Sequence, residues 1–343
     1  MSGGRCFAVI TTIQAPSPAV RALHVRLSEV GGRLIVAGDV KGPATWELPD
    51  SDFLSLADQQ SSGFALAESL PVGHYARKNI GYLHAMSLGA ALIYETDDDN
   101  TPLPRWNIRN EHLKAPREVD ASDNRWINVY RYFSEEERVW PRGFPLDAIT
   151  EPIPTATVSA HSRHAPIQQG LVNGSPDVDA IWRLVDDHAF EFNDGDPVWL
   201  GQGQWCPFNT QSTWWWPVAY PLLYVPSHCS FRMCDIWKSF VAQRCLWTFG
   251  AGVAFHAPEV VQDRNAHDLM KDFEDEVPGY LQNRRIAELL SAVALDPRPD
   301  CMADVLRACY AALIDASIFP AKEMTLVNAW LADVEAIGRT KHA

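Results

Sequence analysis

Apolar positions in the first hundred residues come as short unbroken runs: CFAVITTI (6–13), the core of RLIVAGD (33–39) and AALIYE (90–95). Runs of this length, rich in β-branched residues, read as strands buried on both faces. Between them the apolar positions recur every three or four residues. This spacing predicts a helix over about 17–30, stopped by Gly31 and Gly32, and another over 76–89, with Ile80, Leu83 and Met86 or Ser87 inward and Gly89 as its stop. Strand, helix and strand in this order make βαβ units, hence a parallel sheet with ligands expected beyond the strands' carboxyl ends.

From about Thr101 to Pro226 the pattern breaks down into a stretch rich in Pro, Trp and Gly, with strand-like pieces such as RWINVYRYF and YPLLYV. A long irregular segment inside a compact protein usually shapes a binding cleft. Helical spacing returns in DIWKSFVAQRCLW, where Ile236, Trp237, Phe240, Val241 and Cys245 share one face. Beyond Asp268 three amphipathic helices follow. The expected organisation is therefore α/β, with a catalytic unit over 1–267 and a helical extension over 268–343 packed on it.

Composition narrows the function classes. The 343 residues are 47% hydrophobic and 21% charged, as in a globular protein, with a net charge of −14. No Lys/Arg cluster is present, which argues against nucleic acid as a partner; a small anion could still be collected by a few cations or a metal ion. No apolar run approaches the ~20 residues of a membrane span, and the N-terminus lacks a signal-peptide pattern. A soluble, cytoplasmic chain is expected, with peripheral membrane attachment left open. Seven cysteines without a CxxC pair read as buried reduced thiols.

YETDDDNTP (94–102) places three carboxylates at the end of an apolar strand, where they repel one another. Asp97, Asp98 and Asp99 could converge on a hard divalent cation that keeps positions open for phosphate oxygens; otherwise they form a solvated turn. DDDNT also fits the D-x-D-x-T pattern of phosphatases that attack with the first aspartate, although two βα units precede it here. No GxGxxG or Walker loop follows any strand, so phosphates need another holder. Arg77, Lys78 and Asn79 open a helix and could supply one. Asp235 opens a later helix, as a cap or as a general base. His256 and His267 are not separated by spacing. Trp214, Trp215 and Trp216 could stack on a sugar or simply pack. GLVNGSPDVD, with Asn173 and Gly174, suits close backbone approach and hydroxyl recognition, or a turn.

Six ordered blocks, VITTIQAPSPAV, VAGDVKGPATW, YARKNIGYLHAMSLGAALIYETDDDNTP, QGLVNGSPDVDAIWRL, NTQSTWWWPVAYPLLYVP and SFRMCDIWKSFVAQRCLW, together resemble the STELLO-type domain, a glycosyltransferase family related to the reversibly glycosylated polypeptides. The resemblance implies the GT-A type sandwich: a Rossmann-like mixed sheet between helices that binds a nucleotide sugar and Mn²⁺ or Mg²⁺. It further implies a UDP- or GDP-linked donor and a glycan or other hydroxyl acceptor. Asp99 would be the direct metal ligand and Asp97 would contact ribose or a water on the metal. Thr11, Thr12, Asp39 and Lys41 would face the nucleotide, and Arg77, Lys78 and Asn79 its diphosphate. Asp235 would activate the acceptor, and His267, with His256 as rival, would complete the metal site. A phosphatase and a non-catalytic nucleotide-sugar binder are the alternatives.

Overall fold

The computed structural model describes residues 5–120, 125–263, 268–295 and 302–340. The strands are β1 (Cys6–Thr11), β2 (Arg33–Ala37), β3 (Ser51–Leu54), β4 (Leu92–Thr96), β5 (Asn100–Pro102), β6 (His112–Leu113), β7 (Arg117–Val119), β8 (Arg125–Trp126), β9 (Ala156–Val158), β10 (Arg163–His164), β11 (Ile167–Asn173), β12 (Val198–Leu200), β13 (Gln204–Trp205), β14 (Ser212–Trp215) and β15 (Val253–Gln262). The helices are α1 (Pro18–Glu29), α2 (Leu56–Gln60), α3 (Ala65–Ser69), α4 (Lys78–Ser87), α5 (Ala180–Val185), α6 (Cys234–Trp247), α7 (Leu269–Ala292), α8 (Met302–Asp315) and α9 (Glu323–Thr340).

One mixed sheet runs β3-β2-β1-β4-β14-β11-β15-β12-β7-β9, with β5 paired to β15. The first four strands are mutually parallel, and β14 enters antiparallel between β4 and β11. The chain leaves β1 on one side for β2 and returns on the other for β4. That reversal opens a crevice at the carboxyl ends of β1 and β4, where open α/β sheets take their ligands. The architecture is a mixed α/β sheet flanked by helices, consistent with a GT-A-like fold.

Alternating residues of each central strand feed two cores, which is why the strands read as unbroken apolar runs. On one face Ala8, Ile10, Leu34 and Tyr94 meet Val20, Leu23 and Leu27 of α1. On the other, Phe7, Val9, Ile35 and Ile93 meet Ile80 and Leu83 of α4, Phe240 of α6, and Leu306 and Trp330 of α8 and α9. The terminal helices thus share the sheet's own core.

Two polar contacts fasten them further. Asp333 accepts from the first backbone N–H groups of α3, Ala65 and Leu66, both at 2.9 Å. The fully buried carboxylate of Glu323 accepts from Tyr224 Oη (2.5 Å), the Ser227 and His228 backbone N–H groups (3.1 and 3.0 Å) and His228 Nδ1 (2.6 Å). Removing that acceptor strands several buried donors at once. Glu323→Ala is expected to lower unfolding free energy by about 3 kcal/mol or more, read from the urea midpoint at unchanged slope.

Aromatic, proline-rich stretches depart from their strand-like appearance. RWINVYRYF is a two-residue strand followed by a 3₁₀ turn over Val129–Tyr132, and the first four residues of YPLLYV end a 3₁₀ segment, Pro217–Leu223. Pro221 has no N–H to give a ladder, and these rings pack into the core rather than onto a pleated face. Six cysteines among the described residues are free thiols. Among the described residues, no helix is long and apolar enough to cross a membrane.

Candidate functional site

A cleft of about 650 Å³ opens at the carboxyl ends of β1, β2 and β4. β1 delivers Thr11 and Thr12, the loop after β2 delivers Asp39 and Lys41, and the turn between β4 and β5 delivers Asp97, Asp98 and Asp99. Arg142, Asp177 and Asp235 complete the lining. The three aspartates sit at the sheet edge because β4 ends at Thr96 and the chain reverses at once into β5, whose Asn100 pairs with Gln262 at the end of β15.

Each aspartate has a different set of partners. Asp97 Oδ1 accepts from Tyr75 Oη (2.7 Å) and from Lys78 Nζ (3.0 Å). The buried ammonium also reaches Tyr75 Oη and the Thr96 carbonyl, so Lys78 grips the aspartate turn from behind. Asp98 Oδ2 accepts from Thr12 Oγ1 (2.5 Å) and Gln14 Nε2 (3.2 Å), which ties the turn to β1. Asp99 Oδ2 accepts from Gln262 Nε2 at 2.8 Å, and Gln262 Oε1 is in turn held by Gln211 Nε2 at 3.0 Å. Asp99 Oδ1 and Gln211 Oε1 are left buried without a hydrogen-bond partner among the described residues.

An orphaned buried carboxylate oxygen is costly, and here the cost registers as a displaced proton affinity. Burial, then repulsion from Asp97, raises the Asp99 carboxyl from 3.8 to about 6. A hard cation at Asp99 Oδ1 would relieve both effects, so the donor chemistry fits Mn²⁺ or Mg²⁺. The three carboxylates do not close into a compact preformed set of donors among the described residues. That suits an ion held through one or two carboxylates with phosphate oxygens supplying the rest.

Arg142 organises the other carboxylates of the lining. Its Nη1 and Nη2 donate to Asp235 Oδ1 and Oδ2 (3.0 and 2.8 Å), and its Nε and Nη2 to Asp177 Oδ1 and Oδ2 (2.8 and 2.9 Å). Burial opposes its charge, but the two carboxylates outweigh this and hold the guanidinium well above its usual range. Burial likewise works against Asp177, yet Arg142 keeps its carboxyl below the ordinary value. Asp235 lies in the first turn of α6, one residue inside the helix rather than at its cap, and its Oδ1 also accepts from the Ile236 N–H. Asp235 Oδ2 has one donor, Arg142, among the described residues, which leaves it room for another.

Several expected site residues are placed elsewhere. Arg77 points into the core: its guanidinium donates to Gln59 Oε1 and to the Ala67 and Leu70 carbonyls. Asn79 clasps the Val225 backbone at 2.8 Å in both directions. Successive side chains on a helical turn diverge by about 100°, so three neighbours cannot all face one edge; Lys78 alone reaches the aspartate turn. Asn173 accepts from the Phe192 N–H, and Gly174 turns the chain at φ +80° against the Gln262 carbonyl; neither lines the cleft. Trp214 and Trp215 are fully buried, donating to Glu259 and Glu95, and Trp216 is nearly so, which removes them as sugar platforms. His256 lies away from the cleft beside Arg109 and Glu259 in a cavity of about 270 Å³. Burial, then Arg109, drives its pKa far down, and its Nε2 meets Gln168 Oε1 at 2.9 Å. His267 lies outside the described residues.

Tyr75, Arg142 and Gln262 escape a reading of the sequence. Arg142 sits in the irregular Pro/Trp-rich segment and meets partners 35 and 93 positions away, a relation no local pattern carries.

Comparison with known proteins gives the same direction. Residues 232–341, which include Asp235 and the terminal helices, match the family model of the STELLO glycosyltransferases. The chain is similar to the STELLO glycosyltransferases. The probable glycosyltransferase STELLO1 of Arabidopsis thaliana is 28% identical over 358 residues, covering 96% of this chain and 44% of its own length. The probable glycosyltransferase STELLO2 of the same plant is 27% identical over 310 residues, covering 83% of this chain and 39% of its own. The chain thus spans less than half the length of these curated relatives. The STELLO-type likeness extends over the sheet, the aspartate turn and the terminal helices.

Proposed function

We propose that the chain is a metal-dependent glycosyltransferase that moves a sugar from a UDP- or GDP-linked donor to an acceptor hydroxyl with inversion. The observation that carries this reading is the buried Asp99 Oδ1, without a hydrogen-bond partner among the described residues, in a cleft that Asp235 also lines. The STELLO-type likeness supports the same activity.

Thr11, Thr12, Asp39 and Lys41 form the nucleotide side. Asp39 is engaged from within, accepting from the Gly73 and His74 N–H groups at 2.8 Å each, so it fixes the loop that borders the donor. Lys78 and Tyr75 orient Asp97, while Gln262 turns Asp99 toward the cleft. A divalent cation, when bound, supplies positive charge for the departing diphosphate. Asp235 Oδ2, steadied by Arg142, takes the acceptor's proton as the hydroxyl oxygen attacks the anomeric carbon; the bond from that carbon to the diphosphate oxygen breaks on the opposite side. Attack from that side inverts the centre.

The test is nucleoside diphosphate release from a panel of UDP- and GDP-sugars with Mn²⁺, run beside p-nitrophenyl phosphate. Nucleotide-sugar turnover supports the transferase. Hydrolysis of the phosphomonoester alone would favour the D-x-D-x-T phosphatase, and metal-dependent nucleotide binding with no turnover the non-catalytic binder.

A further inference from the structure

Beyond the cleft, β6 and β10 form a two-stranded antiparallel ribbon in which His112 stands directly opposite His164. Their imidazole rings stack with centroids 4.7 Å apart and planes 19° from parallel. Glu111 Oε1 lies 2.8 Å from His164 Nε2. One donor atom from each of Glu111, His112 and His164 falls within 4.8 Å of the other two. The ribbon's register places it far from the cleft. It leads into Ile167, which pairs with Trp215 and through it with Ile93, near the start of β4, whereas the cleft lies past that strand's end.

The backbone around these side chains is fixed on both strands. Ala165 N–H donates to the Glu111 carbonyl at 3.0 Å, and Gly252 N–H and Trp199 Nε1 donate to the His164 carbonyl at 3.1 and 3.2 Å. Arg163, the nearest cation in sequence, is committed to Glu118 by two 2.7 Å bonds. The Glu111–His164 contact uses one imidazole and leaves His112 without a hydrogen-bond partner among the described residues, exposed at the mouth of the group.

We propose that Glu111, His112 and His164 form a second, structural metal site for a borderline ion of the Zn²⁺ class. Two imidazoles and one carboxylate suit such ions, whereas Mg²⁺ and Mn²⁺ favour oxygen donors. Donors about 2.0–2.2 Å from a tetrahedral ion lie about 3.3 Å from one another, a spacing bracketed by the 2.8 Å contact and the 4.8 Å limit of this group. Closing the set requires the 2.8 Å Glu111–His164 contact to open by about half an ångström and the exposed His112 ring to rotate out of its stack on His164. Binding releases whatever proton the Glu111–His164 contact shares, and solvent completes the coordination. The ion staples the 111–113 segment to the 163–165 segment at the sheet edge opposite the cleft.

The site is tested by calorimetric titration of chelator-stripped full chain with ZnCl₂, using Asp99→Asn as the parent to remove the cleft's contribution. One equivalent should bind, and both His112→Gln and Glu111→Gln should weaken it at least tenfold, with Co²⁺ giving a visible d–d band that His112→Gln loses. His112 is exposed, so its replacement leaves the fold intact. Absence of a zinc equivalent in the parent, or equal affinity and an unchanged Co²⁺ spectrum in His112→Gln, would overturn the proposal.

Discussion

Asp99→Asn should slow transfer from the nucleotide sugar by about a thousandfold or more while making the metal-free protein more stable at pH 7.5. The first effect follows from loss of the carboxylate oxygen that fits the cation; charge stabilisation worth about 4 kcal/mol at the leaving group equals that factor. The second follows from linkage. The folded Asp99 carboxyl titrates at about 6 against an ordinary 3.8, so between these values the folded chain holds a proton that the unfolded chain has released. Stability from this group is therefore greatest in acid and declines as pH rises through that window. An amide in its place avoids the penalty, a gain of about 1–3 kcal/mol above pH 6. Urea denaturation of both proteins in chelator at pH 5 and pH 7.5 should show Asp99→Asn the more stable at both, with roughly half the separation at pH 5, inside the window, as at pH 7.5. A variant that lost transfer and stability together would indicate a structural role instead.

Asp235→Asn carries the next largest effect, a fall in kcat of about 10²–10⁴ with donor affinity nearly kept. The amide preserves volume and can still accept one N–H from Arg142, but it cannot take the acceptor's proton. Asp177→Asn is the control. It shares the same guanidinium but is further held by Asn209 Nδ2 at 2.7 Å, and its replacement should disturb KM more than kcat. If the two variants lost kcat equally, the carboxylates would be acting through Arg142 rather than either serving as the base. An unchanged kcat in Asp235→Asn would remove it from the chemistry.

Much of this arrangement can be read from the chain, and the parts that cannot share a cause. The strands ending at Thr11, Ala37 and Thr96 announce themselves as apolar runs because both faces of the sheet are covered. The helices Pro18–Glu29 and Cys234–Trp247 show their spacing and, in the first, a Ser17 cap accepting from the Val20 N–H. The aspartate turn is legible because carboxylates rarely cluster after a buried strand without a partner. Lys78 is visible as a cation near that turn, but not as the one member of its triplet that reaches it, since direction depends on the phase of a helix that starts there. Three consecutive tryptophans suggest a platform, and only the sheet's second layer shows them covered. Arg142 joins residues distant in sequence within a stretch that has no period, so geometry alone finds it.

The central claim is that Asp99 presents a divalent cation to a nucleoside diphosphate in this cleft. The most direct test is thermal denaturation of the wild-type chain and Asp99→Asn with UDP or GDP, each with and without Mn²⁺. The account predicts a rise in Tm for the wild-type chain only when one nucleotide and Mn²⁺ are present together, and none for Asp99→Asn. Stabilisation by nucleotide without the metal, or an equal rise in Asp99→Asn, would contradict it.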